Sequence, residues 1–251
     1  MVTIAVLNQK GGVGKTTTAI NVAAYAAKAG KKVLLVDLDP QGNATSGLGL
    51  DKSKVERSLY DCMIGDVPVG DCIYETSQPE VYLLPSSADL AALEIELAGK
   101  TSRERQLKNT LSGLTFDIIL IDCPPSLGIL TINALTASDD VLVPVQTEFY
   151  ALEGLSQLVD LIQRVKQGFN PDLRLLGVVL TMYDGRTSLA EQVVAEVEKH
   201  FGDRVFKTRI PRNVRLAEAP SFGLSILQHD KWSKGARSYK ALTKEIINRA
   251  K

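Results

Sequence analysis

The sequence predicts an α/β fold, a doubly wound and mostly parallel twisted sheet flanked by helices. Short apolar runs rich in β-branched residues recur along the chain, segments of helical periodicity separate them, and a glycine-rich turn joins the first run to the first helix. Several runs are almost continuously apolar, which is typical of parallel strands covered on both faces. The alternation of strand and helix therefore predicts one parallel sheet with right-handed crossovers.

Six segments are predicted to be the strands. They are, in chain order, Thr3–Leu7, Lys32–Val36, Val81–Leu84, Asp117–Ile121, Val141–Val145 and Leu175–Thr181. After the last strand, apolar residues recur every four positions at Leu189, Val193, Val197 and Phe201, which predicts an amphipathic helix. The sequence has no repeat, low-complexity tract or Pro/Gly/Ser-rich linker, so we expect residues 1–251 to form one domain.

Composition indicates a globular protein of the cytoplasm. Apolar residues make up 45% of the 251 residues and charged residues 23%, which is ordinary for a soluble protein. No apolar run approaches the roughly 20 residues that a membrane helix needs, and the N-terminus does not resemble a signal peptide. The cysteines Cys62, Cys72 and Cys123 lack metal-ligand spacing, so we expect reduced, mostly buried thiols.

The net charge of zero conceals an asymmetry along the chain. The segment Asp203–Lys251 holds 12 Lys and Arg against 4 Asp and Glu, a balance of +8, whereas Met1–Gly202 has a balance of −8. Uneven halves of this kind can mark a face that binds a polyanion. A solvated basic helix at the C-terminus explains the same charges equally well.

The turn after the first predicted strand has the pattern of a phosphate-binding loop. It reads Lys10-Gly11-Gly12-Val13-Gly14-Lys15-Thr16-Thr17. Glycines let successive backbone N–H groups point at phosphate oxygens, and the following helix adds its N-terminal dipole. In such a loop Lys15 contacts the β- and γ-phosphates and the Thr16 hydroxyl is a Mg²⁺ ligand. The alternative, a glycine-rich turn with an incidental lysine, does not account for the strand before it and the helix after it.

Three aspartates follow predicted strands on the same edge of the sheet. Asp37 and Asp39 come after the second strand, and Asp122 comes after the fourth. Ligands of an open α/β sheet bind beyond the carboxyl ends of its strands, and carboxylates beside a phosphate loop hold Mg²⁺ and orient water. A single Asp after a strand is more often a helix cap or a turn residue. The three together with the loop favour a nucleotide-hydrolysing site.

The phosphate loop departs from the general pattern at one position. That pattern has glycine five positions before Gly14, where this sequence has Gln9, and a second lysine, Lys10, stands beside it. The resulting Lys-Gly-Gly-x-Gly-Lys-Thr resembles the deviant Walker A ATPases, a P-loop NTPase family that includes the ParA/Soj partition proteins, the MinD cell-division regulators and the nitrogenase iron protein. The resemblance implies that Lys10 reaches across a dimer interface to the phosphates of the partner's nucleotide.

The same resemblance assigns roles to the aspartates. It implies that Asp39 positions the hydrolytic water, that Asp37 supports the magnesium site, and that Asp122 is the Walker B aspartate acting on Mg²⁺ through water. The ligands implied are ATP or ADP with Mg²⁺.

Two later segments resemble the Soj-type branch of ParA specifically. They are Thr181–Thr187 and Ile210–Ser221. In relatives the parts matching Thr181–Asp184 and Ile210–Asn213 flank the adenine, so Met182, Pro211 and Asn213 are candidate base contacts. Met and Pro offer apolar faces to a flat ring and an amide can read its edge. Taken alone, Met182 and Pro211 would instead be ordinary core or turn residues.

The resemblance also implies macromolecular partners. In the Soj-type branch the ATP-bound homodimer binds double-stranded DNA without sequence preference through arginines matching Arg186 and Arg215, and a ParB/Spo0J-type centromere-binding protein stimulates hydrolysis. The basic segment containing Arg215 agrees with this in sign, because Arg and Lys contacts to phosphates ignore sequence. We therefore expect a nucleoid-associated bacterial ATPase that does not bind membranes.

Two alternatives follow from the same family. A MinD-like membrane-surface regulator needs a C-terminal amphipathic helix, and Ala236–Lys251 has Tyr239, Leu242 and Ile246 at helical spacing. We expect this segment to pack on the body of the protein instead. A cluster-bearing reductase like the nitrogenase iron protein is disfavoured, because the cysteines lack the settings typical of cluster ligands.

Overall fold

The fold is that of a computed structural model, which describes residues 1–65, 67–148 and 154–250. Lys251, the last residue of the C-terminal segment considered above, lies outside the described residues. The strands are β1 Val2–Val6, β2 Val33–Asp37, β3 Tyr74–Glu75, β4 Val81–Leu84, β5 Ile118–Asp122, β6 Asp140–Gln146 and β7 Arg174–Thr181.

Eleven α-helices are present in the described part of the chain. They are α1 Lys15–Lys28, α2 Asn43–Gly47, α3 Leu59–Ile64, α4 Leu93–Glu96, α5 Gln106–Thr110, α6 Ile129–Ala137, α7 Leu155–Gly168, α8 Ser188–Phe201, α9 Val214–Glu218, α10 Ile226–His229 and α11 Lys234–Arg249.

The strands form one seven-stranded sheet in the order β3-β4-β2-β5-β1-β6-β7. All six predicted strands are confirmed, with each end within one residue of the prediction. Every neighbouring pair is parallel except β3 and β4, which are antiparallel. β3 was not predicted, because two residues are too few for any hydrophobic pattern. β1 lies between β5 and β6, so the chain order reverses at the first strand, where doubly wound folds bind ligands.

Alternating strand residues feed two hydrophobic layers. Ile4 and Val6 of β1 pack with α1 and α11 on one face, whereas Ala5 and Leu7 pack with α3, α6, α7 and α8 on the other. The layers explain why the strands are apolar throughout, since both faces of each strand are buried. The predicted helix α8 is confirmed, with Val193 and Val197 buried, but Leu189 in its first turn is 39% exposed.

Both edges of the sheet are covered or short. β3 ends one edge after two residues. Along β7 at the other edge, the Phe206 N–H donates to the Val178 carbonyl (2.9 Å) and the Ile210 N–H donates to the Leu180 carbonyl (2.8 Å). In the described part of the sheet, neither edge offers a long row of unpaired backbone groups.

The C-terminal helix α11 packs on α1, as expected from the sequence. Its apolar residues Tyr239, Leu242 and Ile246 are buried, and the Tyr239 hydroxyl hydrogen-bonds to the Thr18 hydroxyl (3.1 Å). Within the described residues, none of the helices combines the length and apolarity needed to cross a bilayer. The three cysteines are free and buried, and burial raises the pKa of each thiol.

Candidate nucleotide site

The predicted phosphate loop joins β1 to α1 at the carboxyl edge of the sheet. Gly12 (φ 75°) and Gly14 (φ 88°) adopt left-handed backbone conformations that other residues reach only with strain. Gly14 is the N-cap of α1, and no side chain caps this end of the helix. The first N–H groups of α1 are therefore available to an anion.

Lys15 lies over the loop that precedes it. Its ammonium donates to the Lys10 carbonyl (3.2 Å), and the residue is only 7% exposed. Burial lowers the pKa of Lys15, and the charges of Asp122 and Asp39 oppose that shift. A phosphate placed on the loop would add a negative charge that compensates the ammonium for the hydration lost on burial.

Neighbouring strands hold the loop in place. The Asn8 amide donates to the Pro144 carbonyl (2.7 Å) and its oxygen accepts the Lys10 N–H (2.9 Å). The Thr181 hydroxyl donates to the Val13 carbonyl (2.8 Å). The contacts of Asn8 with Pro144 and of Thr181 with Val13 were not predicted from the sequence, because they join the loop to β6 and β7, more than a hundred residues away.

Asp37 is the last residue of β2 and is fully buried. One carboxylate oxygen accepts both the N–H and the hydroxyl of Thr45, each at 2.7 Å, and the other accepts the Asp39 N–H (3.3 Å). Burial raises the pKa of Asp37 to about 6, although the Thr45 hydrogen bonds pull it down.

Asp122 is also fully buried, but its carboxylate is not satisfied. Neither oxygen accepts a hydrogen bond of normal geometry from the described residues. Burial first, and then the charge of Asp37, raises its pKa well above the ordinary value, against the influence of the nearby Thr16 hydroxyl and Lys15. A buried carboxylate without a partner is costly unless a cation or a proton neutralises it, so this position fits Mg²⁺.

The described residues do not supply a complete set of metal ligands. No group of three or more His, Cys, Asp or Glu side chains suited to a metal ion occurs among them. Mg²⁺ commonly binds through one or two carboxylates with water and phosphate oxygens completing its shell. The arrangement of Asp122, Asp37 and the Thr16 hydroxyl fits that pattern.

The backbone of Asp39 is hydrogen-bonded to a neighbouring segment, whereas its side chain is hydrogen-bonded only locally among the described residues. Its carbonyl accepts the Ser86 hydroxyl (2.6 Å), and the Ser86 N–H donates to the Thr45 hydroxyl (3.1 Å). Its carboxylate accepts the Gln41 N–H (3.0 Å) within its own turn. Ser86 was not predicted, although it follows the carboxyl end of β4 and the rule used for the other strands would have found it.

The predicted base contacts line one cavity of about 210 Å³ beside the phosphate loop. Its walls include Gly14, Thr17, Thr181, Met182, Ile210, Pro211 and Asn213. Met182 has a left-handed backbone (φ 50°), which is uncommon for a residue with a side chain. The Tyr183 N–H donates to the Ile210 carbonyl (3.0 Å), so the two segments that resemble Soj meet here.

Asn213 has a second role in this cavity. Its side-chain oxygen accepts the Leu216 N–H (3.2 Å) and caps α9. Among the described residues its amide nitrogen donates no hydrogen bond, so that nitrogen is the atom left for a ligand.

The remaining predicted residues lie outside the cavity. Arg186 is 89% exposed and forms a bidentate pair with Asp184 (2.9 and 2.7 Å), which lowers the pKa of Asp184 to about 2. Arg215 is 58% exposed and pairs with Glu218 (2.9 Å) and Asp230 (3.8 Å). Both arginines are on the surface and accessible to a large ligand.

Comparisons with known proteins agree with this geometry. A family model described as an AAA domain matches residues 1–175. The chain is 55% identical over 245 residues to the sporulation initiation inhibitor protein Soj of Bacillus subtilis, covering 97% of each chain. It is 50% identical over 248 residues to the chromosome partitioning protein ParA of Myxococcus xanthus, covering 98% of this chain and 88% of that one.

A similar solved structure carries a nucleotide. It is a cobyrinic acid a,c-diamide synthase from Mycobacterium smegmatis with bound ADP and magnesium, which is 40% identical with a TM-score of 0.88. The match covers 99% of this chain and 94% of that one. The chain is at least 50% identical to the Soj and ParA proteins named above over nearly its full length, and it has the phosphate loop with two lysines together with buried aspartates. It therefore belongs to the ParA/Soj family of partitioning ATPases.

Proposed function

We propose that this protein binds and hydrolyses ATP with Mg²⁺ and uses the nucleotide as a switch for partition. The observation that carries the proposal is the unsatisfied, buried carboxylate of Asp122 directly beside an uncapped phosphate loop. In this proposal the phosphates bind residues 10–17, the base lies against Met182, Pro211 and Asn213, and Thr16, Asp37 and Asp122 hold the metal. The whole chain 1–251 acts as one ATPase domain.

We assign the hydrolysis step to three side chains. Asp39 orients a water whose oxygen attacks the γ-phosphorus, while the bond to the β–γ bridging oxygen breaks to give ADP and phosphate. Lys15 offsets the charge that develops on the phosphates, and Lys10 of a second subunit adds to that effect. Mg²⁺, when bound, would neutralise phosphate charge and help to fix the phosphates in place.

The switch consists of a dimer that forms with ATP and binds DNA. Two subunits related by symmetry would place each Lys10 on the other's nucleotide, and the exposed Arg186 and Arg215 would contact the backbone of double-stranded DNA without reading bases. A ParB/Spo0J-type partner would stimulate hydrolysis and release the protein from the nucleoid. The burial of Tyr239, Leu242 and Ile246 against α1 keeps the apolar stripe predicted for α11 away from a bilayer, which argues against the membrane-surface alternative.

One experiment tests this function directly. The Asp39→Ala variant, which should bind ATP without hydrolysing it, is compared with ATP and with ADP in a gel-shift assay on plain duplex DNA and in vesicle sedimentation. We expect DNA binding with ATP only and no sedimentation in either state. Equal DNA binding in both nucleotide states, or ATP-dependent binding to vesicles alone, would contradict the proposal.

A further inference from the structure

Lys10 and Arg212 share one carboxylate, that of Glu148. The Lys10 ammonium lies 3.8 Å from one Glu148 oxygen, and the Arg212 guanidinium lies 3.3 Å from the other. Lys10 belongs to the phosphate loop, and Arg212 lies between the candidate base contacts Pro211 and Asn213. Glu148 thus connects the two halves of the nucleotide site by charge.

The sheet explains why Glu148 reaches both. It follows β6, which lies between β1 and β7, so it leaves the sheet between the phosphate loop and the segment at Met182. The Thr147 N–H donates to the Thr181 carbonyl (3.2 Å), and the Thr147 hydroxyl donates to the Met182 carbonyl (3.4 Å). The Gln146 amide donates to Glu148 itself (2.5 Å). The backbone around the carboxylate is therefore tied to β7.

We propose that Glu148 is a positioning residue for Lys10. It holds the Lys10 ammonium within its own subunit while the subunits are apart, and Lys10 leaves it when the lysine engages the partner's nucleotide. This inference rests on the proposed ATP-dependent dimer. Lys15 does not need such a residue, because its ammonium already lies over the loop of its own subunit.

The Lys10–Glu148 ion pair is weak enough to break when the subunits associate. The Lys10 and Glu148 side chains are 37% and 47% exposed, and exposed pairs of this kind contribute little, with a strong dependence on salt. Dimerisation must break one pair in each subunit. Neutralising Glu148 should therefore strengthen the dimer by up to about fivefold per subunit, or up to about 25-fold for the symmetric dimer.

The first measurement is the dimer dissociation constant with a slowly hydrolysed ATP analogue and Mg²⁺, determined by sedimentation velocity for the wild type and Glu148→Gln. We expect tighter dimerisation of the variant at low salt and convergence of the two proteins at high salt. Glu196→Gln is the matched control, because Glu196 is also an exposed carboxylate paired with a lysine, Lys199 (3.5 Å), but it lies on α8. The control should match the wild type.

A second measurement determines the chemical reactivity of the Lys10 amine and does not depend on dimerisation. Trace acetylation of the nucleotide-free protein, followed by mass spectrometry, gives the reactivity of Lys10 relative to Lys199. We expect Glu148→Gln to raise the relative reactivity of Lys10 by up to about fivefold, since the amine loses its ion-pair partner. A purely structural role for Glu148 would not change this ratio.

The two measurements separate the two proposals. A wild type that stays monomeric with the analogue contradicts the proposed dimer, while acetylation still tests the Lys10–Glu148 pair. A wild type that dimerises, with Glu148→Gln equal or weaker at low salt, overturns the positioning role. Unchanged acetylation of Lys10 overturns it as well.

Discussion

Asp37 and Asp122 are cross-strand partners at the carboxyl ends of β2 and β5, and their Cα atoms are in register. Both are fully buried, yet among the described residues hydrogen bonds of normal geometry reach only Asp37, from Thr45 and Asp39. Two neighbouring buried carboxylates disfavour ionisation of each other. In the free protein, ionisation of both carboxylates is therefore unfavourable, and a bound cation would relieve this repulsion. For this reason we expect the affinity for metal and nucleotide to depend on pH.

The stability of the metal-free protein should fall as pH rises. The pKa of Asp37 is about 6 in the folded protein, whereas an Asp of the unfolded chain titrates near 3.9. The folded state thus holds this proton more tightly, so its stabilisation is present below about pH 4 and is lost as pH rises through 6. In EDTA we expect a loss on the order of 2 kcal/mol between pH 4 and 7, measured by urea unfolding. Asp37→Asn should be less pH-dependent by about that amount, and an unchanged profile would argue against the raised pKa.

Asp39→Ala should separate nucleotide binding from hydrolysis. Among the described residues the side chain accepts one hydrogen bond, within its own turn, so its loss should leave stability and the ATP affinity within a fewfold of wild type. Hydrolysis should fall by about 10²-fold or more if the carboxylate positions the water. Asp51→Ala is the matched control, because Asp51 likewise accepts the N–H of the residue two positions later, Ser53 (3.0 Å), in a separate turn. Normal turnover by Asp39→Ala, measured as phosphate release, would refute the assignment.

Two substitutions of Asn213 should distinguish the helix cap from base recognition. Asp keeps the capping oxygen but lacks the amide donor, whereas Ala lacks both. We expect Asn213→Asp to retain wild-type thermal stability and to bind ATP about tenfold more weakly, a typical loss for one hydrogen bond. Asn213→Ala should in addition lose about 1 kcal/mol of stability. Equal ATP affinity of wild type and Asn213→Asp in calorimetry would limit this residue to capping.

Arg215→Ala should weaken DNA binding uniformly across sequences while ATP binding is retained. Loss of a phosphate contact reduces the slope of log affinity against log salt by about 1 for each contact. Arg57→Ala is a suitable control, since Arg57 is a half-exposed arginine paired with Asp71 (3.0 Å). Its N–H donates to the hydroxyl of Tyr74 in β3, at the opposite edge of the sheet from β7. Equal DNA affinity of wild type and Arg215→Ala, measured with ATP by fluorescence anisotropy, would exclude the contact.

The sheet was predictable because its strands are buried on both faces and therefore apolar throughout. The aspartates were predictable for a related reason, since Asp37 and Asp122 stand out where apolar runs end. β3 was not predictable, because Tyr74–Glu75 becomes a strand only through its pairing with β4. Local sequence carries no trace of that partner.

The candidate site also contains residues that could be predicted from the sequence and residues that could not. Residues of the phosphate loop are specified by local backbone geometry, such as the left-handed Gly12 and Gly14. Ser86 and Glu148 contribute through contacts with residues that are distant in sequence, Ser86 with Asp39 and Glu148 with Lys10 and Arg212. Their positions after β4 and β6 place both residues at the carboxyl edge of the sheet, but a serine or an exposed glutamate after a strand has many ordinary explanations, so their partners emerge only from the three-dimensional arrangement.

The covered edges of the sheet limit how this protein can assemble. One edge ends with the two residues of β3, and the segment after α8 hydrogen-bonds along the other. Copies of this chain are therefore poorly suited to joining their sheets into a continuous ribbon, the route by which many α/β proteins aggregate. High protein concentrations should therefore be tolerated without fibre formation through the sheet edges, and we expect larger assemblies to form through helices and loops, whose contacts can dissociate.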